Sequence, residues 1–122
     1  MKRIILLAFL CTTTLVMAQR INHVQEAIAN YDYEAALTLI AKEKPTIPLL
    51  LQKGKAQRGL GMNTEALSTY QEIIANDTAN TRAYIEAAEC CRSLAKNQQA
   101  LKYYEQALDL NPENKYVRIQ YI

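Results

Sequence analysis

Tryptophan is absent from this chain of 122 residues, and glycine, proline and cysteine occur three times each. Valine is scarce, and β-branched residues seldom alternate with polar ones, so strands find little support. Gly54, Gly59 and Gly61 lack the lysine and the spacing of a phosphate-binding loop. His23 is the sole histidine, and no cysteine or histidine pair stands at a zinc-ligand spacing, which argues against a metal site. Charge of one sign is missing too. The chain carries 14 basic and 12 acidic side chains, a balance that steers it toward neither nucleic acid nor an anionic membrane.

What remains is rich in Ala, Leu, Gln, Glu and Lys, residues that favour helix, and an all-α chain is expected. The first residues, MKRIILLAFLCTTTLVMAQ, read as an export leader. Lys2 and Arg3 form a basic start, residues 4–10 are an apolar run, and Leu15, Val16 and Met17 extend it. The run is shorter than the roughly 20 residues that cross a bilayer. Val16 and Ala18 place cleavage after Ala18 and an exported, periplasmic or secreted, product. Leu10 before Cys11 is not the small residue that lipid attachment requires. Loss of Lys2 and Arg3 leaves 12 basic and 12 acidic groups, a formally neutral chain. Cys90 and Cys91 then remain. Neighbours on a helix point about 100° apart and cannot form a disulfide, so both are expected as small buried residues.

A period is present. Residues 47–80 and 81–114 align over 34 positions without a gap. Arg58 falls on Arg92, Leu60 on Leu94, Asn63 on Asn97, Ala66 on Ala100, Leu67 on Leu101, Tyr70 on Tyr104 and Asn80 on Asn114. Each unit reads as two helices. Tyr84, Ala87, Ala88 and Cys91 lie on one face of the first helix of the second unit. Ala100, Leu101, Tyr104, Ala107 and Leu108 make the apolar stripe of the next helix, after a break at Lys96-Asn97. Pro112 is expected to end that helix and to occupy the first turn of the following one.

A helix–turn–helix of this length and spacing resembles the tetratricopeptide repeat. In the second unit Tyr84, Ala87-Ala88, Ala100, Tyr104, Ala107 and Pro112 carry the resemblance, with Cys91 at the family's tyrosine place. In the first unit Gly54, Gly61, Ala66 and Tyr70 carry it, while Lys53 and Gln57 stand at usually apolar places and imply looser packing. Residues 19–46 resemble a degenerate unit, with Ile21, Val24, Ala27 and Ile28 on one face and Ala36, Leu37 and Ile40 on another. Ala36 precedes Ala66 by only 30 residues. Residues 115–122 begin a further helix with Val117, Ile119, Tyr121 and Ile122 apolar. That end reads either as a fraying terminus or as the cut edge of a longer array, with self-association as a further route to cover it. The resemblance implies a right-handed α-solenoid of antiparallel helix pairs.

No constellation carries chemistry. His23 lacks a positioned partner, and Asp32 and Glu34 read as turn and helix-start residues. No catalytic residue, metal or other cofactor is expected. The resemblance implies that the first helix of each unit lines a concave face that binds a protein or peptide segment. On that face Leu51, Ile85 and Ile119 recur at intervals of 34, as do Arg58 and Arg92, with Lys55 and Glu89 between them. The expected site is an aliphatic ladder beside an arginine ladder, the arginines receiving acidic groups of the partner; the alternative is that the aliphatics pack between helices and the arginines are solvated. The expected function is a non-catalytic interaction scaffold of the bacterial cell envelope. Rival readings are the N-terminal segment of a larger envelope assembly or uptake system, and the regulatory arm of an enzyme.

Overall fold

The computed structural model describes residues 2–121. Met1 and Ile122 lie outside it, as do the side chains of residues 2–7, 9, 10 and 121, so the basic start, most of the apolar run and Tyr121 are described in backbone only. The elements are α1 (Lys2–Ala29), α2 (Tyr33–Ile40), α3 (Ile47–Gly59), α4 (Asn63–Asn76), α5 (Thr81–Ser93), α6 (Asn97–Leu110) and α7 (Lys115–Tyr121). Each helix packs on the next in sequence, giving three hairpins, α1/α2, α3/α4 and α5/α6, and a final helix α7 on α6. Contacts along the chain rather than around one centre are what define a helical solenoid. Among the described residues no helix is long and apolar enough to cross a membrane.

Helix starts follow the period. Thr46, Asn80 and Asn114 stand 34 residues apart, and each caps the helix that follows. Leu49 N–H donates to Thr46 Oγ1 at 3.4 Å, Ala83 N–H to Asn80 Oδ1 at 3.0 Å and Val117 N–H to Asn114 Oδ1 at 3.2 Å. Such caps satisfy donors that the helix itself cannot. Pro112 therefore does not sit in the first turn of the next helix, as expected from the sequence. It lies in the turn between α6 and α7, closed by Asn114 N–H on Asn111 C=O at 3.2 Å, and Asn114 sets the start. The proline that does occupy a first helical turn is Pro48, in α3.

The three hairpin turns share one geometry. Tyr31, Gly61 and Ala95 adopt φ of 60°, 76° and 59°. The N–H after each reaches back five residues, Asp32 to Ala27 C=O, Met62 to Gln57 C=O and Lys96 to Cys91 C=O, each at 2.8 Å. This is the paired-bond helix end in which a left-handed residue turns the chain, a role glycine fills without strain. Ala95 fills it at a cost of about 1–2 kcal/mol. Ala95→Gly is accordingly expected to raise stability by about 1 kcal/mol, the gain reduced by the greater freedom of glycine in the unfolded chain. Urea denaturation followed by circular dichroism reads it; an unchanged midpoint rules out strain at this turn.

The core is a chain of two clusters. Val24, Ile28, Ala36, Ile40, Leu49 and Ala56 join α1, α2 and α3. Leu50, Tyr70, Ile73, Tyr84, Ala88, Cys91, Tyr104 and Val117 belong to the second, which runs from α3 to α7. Cys90 and Cys91 are both buried thiols, and burial pushes Cys90 up to about 11. The looser packing expected of the first unit does not reach its centre, where Tyr70 is as buried as Tyr104. Gln57 is buried there, but the Thr69 hydroxyl donates to its Oε1 at 2.7 Å, so the polar group is satisfied. Gly54 admits the end of the Tyr70 ring, and Gly59 that of Tyr33, in space that a Cβ would take.

Candidate partner-binding groove

The first helices of successive hairpins lie side by side, and the turn register puts their residues in rank. Ile21, Leu51 and Ile85 each stand ten residues before the left-handed residue of their own turn, at Tyr31, Gly61 and Ala95. Ile119 continues the rank on α7, 34 residues after Ile85. The abbreviated first hairpin hides Ile21 from a search at a period of 34, because its offset is 30; the turn residues are the signal that finds it. Leu51 and Ile85 are half-buried and pack on the second core cluster, whereas Ile119 is 70% exposed. Two members of the aliphatic ladder therefore pack between helices and support the stack.

The arginines have partners inside the chain. Arg58 Nη1 pairs with Glu86 Oε2, from α3 to α5. Arg92 Nη1 donates to Gln120 Oε1 at 2.7 Å, from α5 to α7. Both contacts span 28 residues, so Gln120 is the repeat equivalent of Glu86. Burial disfavours the Arg58 charge, but Coulomb attraction and the hydrogen bond of Glu86 outweigh it and hold the pKa above its ordinary value. These are rungs between repeats. An incoming acidic group would have to compete with them for either arginine.

Glu89 is a second junction. Its Oε1 accepts from the Tyr104 hydroxyl at 2.6 Å and the Tyr116 hydroxyl at 2.5 Å, and its Oε2 lies 3.5 Å from Arg92 Nη1. Burial raises the Glu89 pKa, but the two tyrosine hydrogen bonds, with Arg92 and Arg58, outweigh burial and leave it below the ordinary carboxylate value. Burial and Glu89 push Tyr104 up to about 12. A carboxyl whose pKa is lower folded than unfolded stabilises the fold above its unfolded value, about 4.3, and that contribution fades as pH falls through the folded value. Below about pH 4 the docking of α7 is thus expected to loosen before the rest of the chain. Hydrogen exchange of amides in Lys115–Tyr121 reads this, and the acid step should shrink in Tyr104→Phe/Tyr116→Phe. Protection of α7 that is equal at pH 3 and pH 7 would contradict it.

Two recesses line this face. One, of about 520 Å³, is bounded by Arg58, Thr81, Arg82, Ile85, Glu86, Glu89, Asn114 and Tyr116, on or beside α3, α5 and α7. The other, of about 300 Å³, is bounded by Gln25, Ile28, Ala29, Tyr31, Tyr33, Gln52 and Lys55, on or beside α1, α2 and α3. The structure thus gathers Arg58, Ile85 and Glu89 around one recess and puts Lys55 in its neighbour. Leu51, Arg92 and Ile119 line neither. Arg82, Glu86 and Tyr116 join the site without having been singled out in the sequence. Glu86 carries no periodic signal, because its repeat equivalents are Gln52 and Gln120.

Elsewhere, His23 is exposed, its Nδ1 3.9 Å from Glu26 Oε2. Asp32 caps α2 by accepting from Ala35 N–H at 3.1 Å. No group of three or more His, Cys, Asp or Glu side chains that could hold a metal occurs among the described residues.

Residues 81–114 match the family model of the tetratricopeptide repeat. The fold recurs in solved structures. The first tetratricopeptide domain of Spaghetti (RPAP3), bound to the HSP90 peptide SRMEEVD, superposes with a TM-score of 0.80 at 21% identity, covering 85% of this chain and 86% of that one. The first such domain of human RPAP3 gives a TM-score of 0.77 at 21% identity, covering 84% of each chain. PcrH in complex with the chaperone-binding region of PopB gives 0.77 at 18% identity, covering 87% of this chain and 91% of that one; PcrH is a Pseudomonas aeruginosa protein. No curated protein sequence matches the chain at a significant level. Residues 81–114 thus match the tetratricopeptide repeat directly, and the chain as a whole shares the fold of tetratricopeptide domains. That fold is typically a non-catalytic interaction domain, and the neighbours caught with peptides use it as a binding scaffold.

Proposed function

We propose that this chain is a non-catalytic adaptor of the bacterial cell envelope that holds a peptide or protein segment on the face formed by α1, α3, α5 and α7. The observation that carries the reading is the pair of adjacent recesses on that face, flanked by the aliphatic rank Ile21, Leu51, Ile85 and Ile119. Apolar anchors beside a few fixed polar groups are what peptide grooves offer. Structural neighbours held with an HSP90 peptide and with a PopB segment support the same use.

Export rests on the leader-like start. Residues 11–18 are exposed, and the core begins at Val24. The rest of α1 keeps its own ties, including Arg20 Nη1 to Glu43 Oε1 at 2.9 Å. Removal of residues 1–18 would therefore leave the described core intact, as a cleaved leader requires.

Affinity capture by residues 19–122 from an envelope extract tests the reading. Ile85→Ala is expected to weaken capture about ten-fold, the effect of losing one anchor in a binding surface. Capture unchanged by Ile85→Ala and by Ile119→Asp, with thermal midpoints retained, would place the partner elsewhere.

A further inference from the structure

The groove's charges do not all cancel. Arg58 is matched by Glu86, and Arg92 stands against Glu89 and Gln120. Glu89 is further occupied by Tyr104 and Tyr116. Two cations on the same face stand outside this network, Lys55 on α3 and Arg82 on α5. Both are exposed, and among the described residues neither has a carboxylate within ion-pair distance in the structure. Each lines one of the two adjacent recesses, and no acidic residue lines that of Lys55. The arginine period in the sequence thus marks structural rungs, and the positive charge left for a partner sits at two positions with no repeat relation.

From this we infer that the occupant of the groove is an extended segment carrying two acidic side chains, one for Lys55 and one for Arg82, with an aliphatic residue between them beside Ile85. The inference rests on the groove reading above and specifies its ligand. Neighbouring packed helices lie about 10 Å apart. Lys55 stands seven positions further along its helix than Arg82 along its own, about 10 Å at 1.5 Å per residue. The two cations are then on the order of 15 Å apart, which extended chain at about 3.3 Å per residue covers in four to five residues. Internal carboxylates suffice, so a free C-terminus is not required.

The test uses fluorescein-labelled 12-residue peptides with amidated C-termini and a central leucine, flanked by glutamates four residues apart. In two companions the glutamates are replaced by glutamine or by lysine. Fluorescence anisotropy with the chain of residues 19–122 should show the glutamate peptide binding at least ten-fold more tightly than the glutamine peptide. Its affinity should fall with added salt. Lys55→Glu/Arg82→Glu should abolish that preference and favour the lysine peptide, while Lys102→Glu on α6 leaves it unchanged. Both altered groove positions are exposed, and Lys55→Gln/Arg82→Gln gives the same loss of preference without charge reversal. Equal binding of the glutamate and glutamine peptides overturns the inference; if Ile85→Ala weakens both, the groove reading survives it. Tight binding of the glutamate peptide that Ile85→Ala and Lys55→Glu/Arg82→Glu both leave intact overturns the groove reading as well. Binding of no peptide also overturns the acidic ligand, and the groove then stands or falls on capture of the native partner.

Discussion

Tyr70→Ala is expected to cost about 3–5 kcal/mol, the range for deleting a large buried ring. A domain of this size has a total stability of about 5–15 kcal/mol, so the variant should be largely unfolded or close to it at moderate temperature. The ring is 1% exposed and belongs to the cluster that runs from α3 to α7. Its end occupies the space over Gly54, where a Cβ would lie 2.5 Å from Tyr70 Cζ. Gly54→Ala therefore has two opposed effects. Alanine is better in a helix by about 1 kcal/mol. Overpacking against a fixed ring costs about 1–3 kcal/mol, so the net change should be destabilising. In the Tyr70→Ala background the clash is gone, and Gly54→Ala should become stabilising. Urea titrations of the four proteins give the coupling directly. Independent, additive changes would show that the ring does not depend on the glycine.

Arg58→Ala and Arg92→Ala should differ, although the two arginines are repeat equivalents. The Arg58 and Glu86 side chains are 31% and 24% exposed, so removal of the arginine strands a half-buried carboxylate between α3 and α5. The expected loss is about 1–3 kcal/mol, between the limits for exposed and buried pairs. The Arg92 side chain is 49% exposed, and its loss should leave stability nearly unchanged. In thermal denaturation the first variant should melt roughly 5–10 °C lower than the native chain, and the second within a few degrees of it. Glu86→Gln recreates the Arg92–Gln120 type of rung and should fall between them. Equal small shifts for both arginines would show that the α3–α5 rung is no staple. A drop in partner capture after both arginines are replaced would by itself mix two causes, lost contact and a loosened stack. The cleaner probes of the proposed recognition are Lys55 and Arg82, which make no ion pair among the described residues.

Much of the scaffold was legible from residue order. Tyr70 and Tyr104, Ala66 and Ala100, and the apolar stripe around them announce two helical hairpins, because helix periodicity and a 34-residue repeat are local properties of the chain. The caps were legible in part. The Asn80–Asn114 identity is visible, but the equivalence of Thr46 is hidden by its different residue type, and Asn114 rather than Pro112 sets the start of α7. Gln57 looked like a packing fault because its partner, Thr69, lies on the other helix of the hairpin.

The sequence by itself determined that the chain is helical, that its helices pair, and that the pairs repeat; the spacing of apolar residues along one helix needs no knowledge of any other. Only the tertiary structure decided which charges on this face are paired within the chain. Arg58 and Arg92 look alike in their own repeats, yet each is consumed by a residue 28 positions later on the next first helix, and Lys55 and Arg82 are left over. Ion pairing depends on distances set by how one hairpin leans on its neighbour, and that angle belongs to the stack rather than to any single repeat.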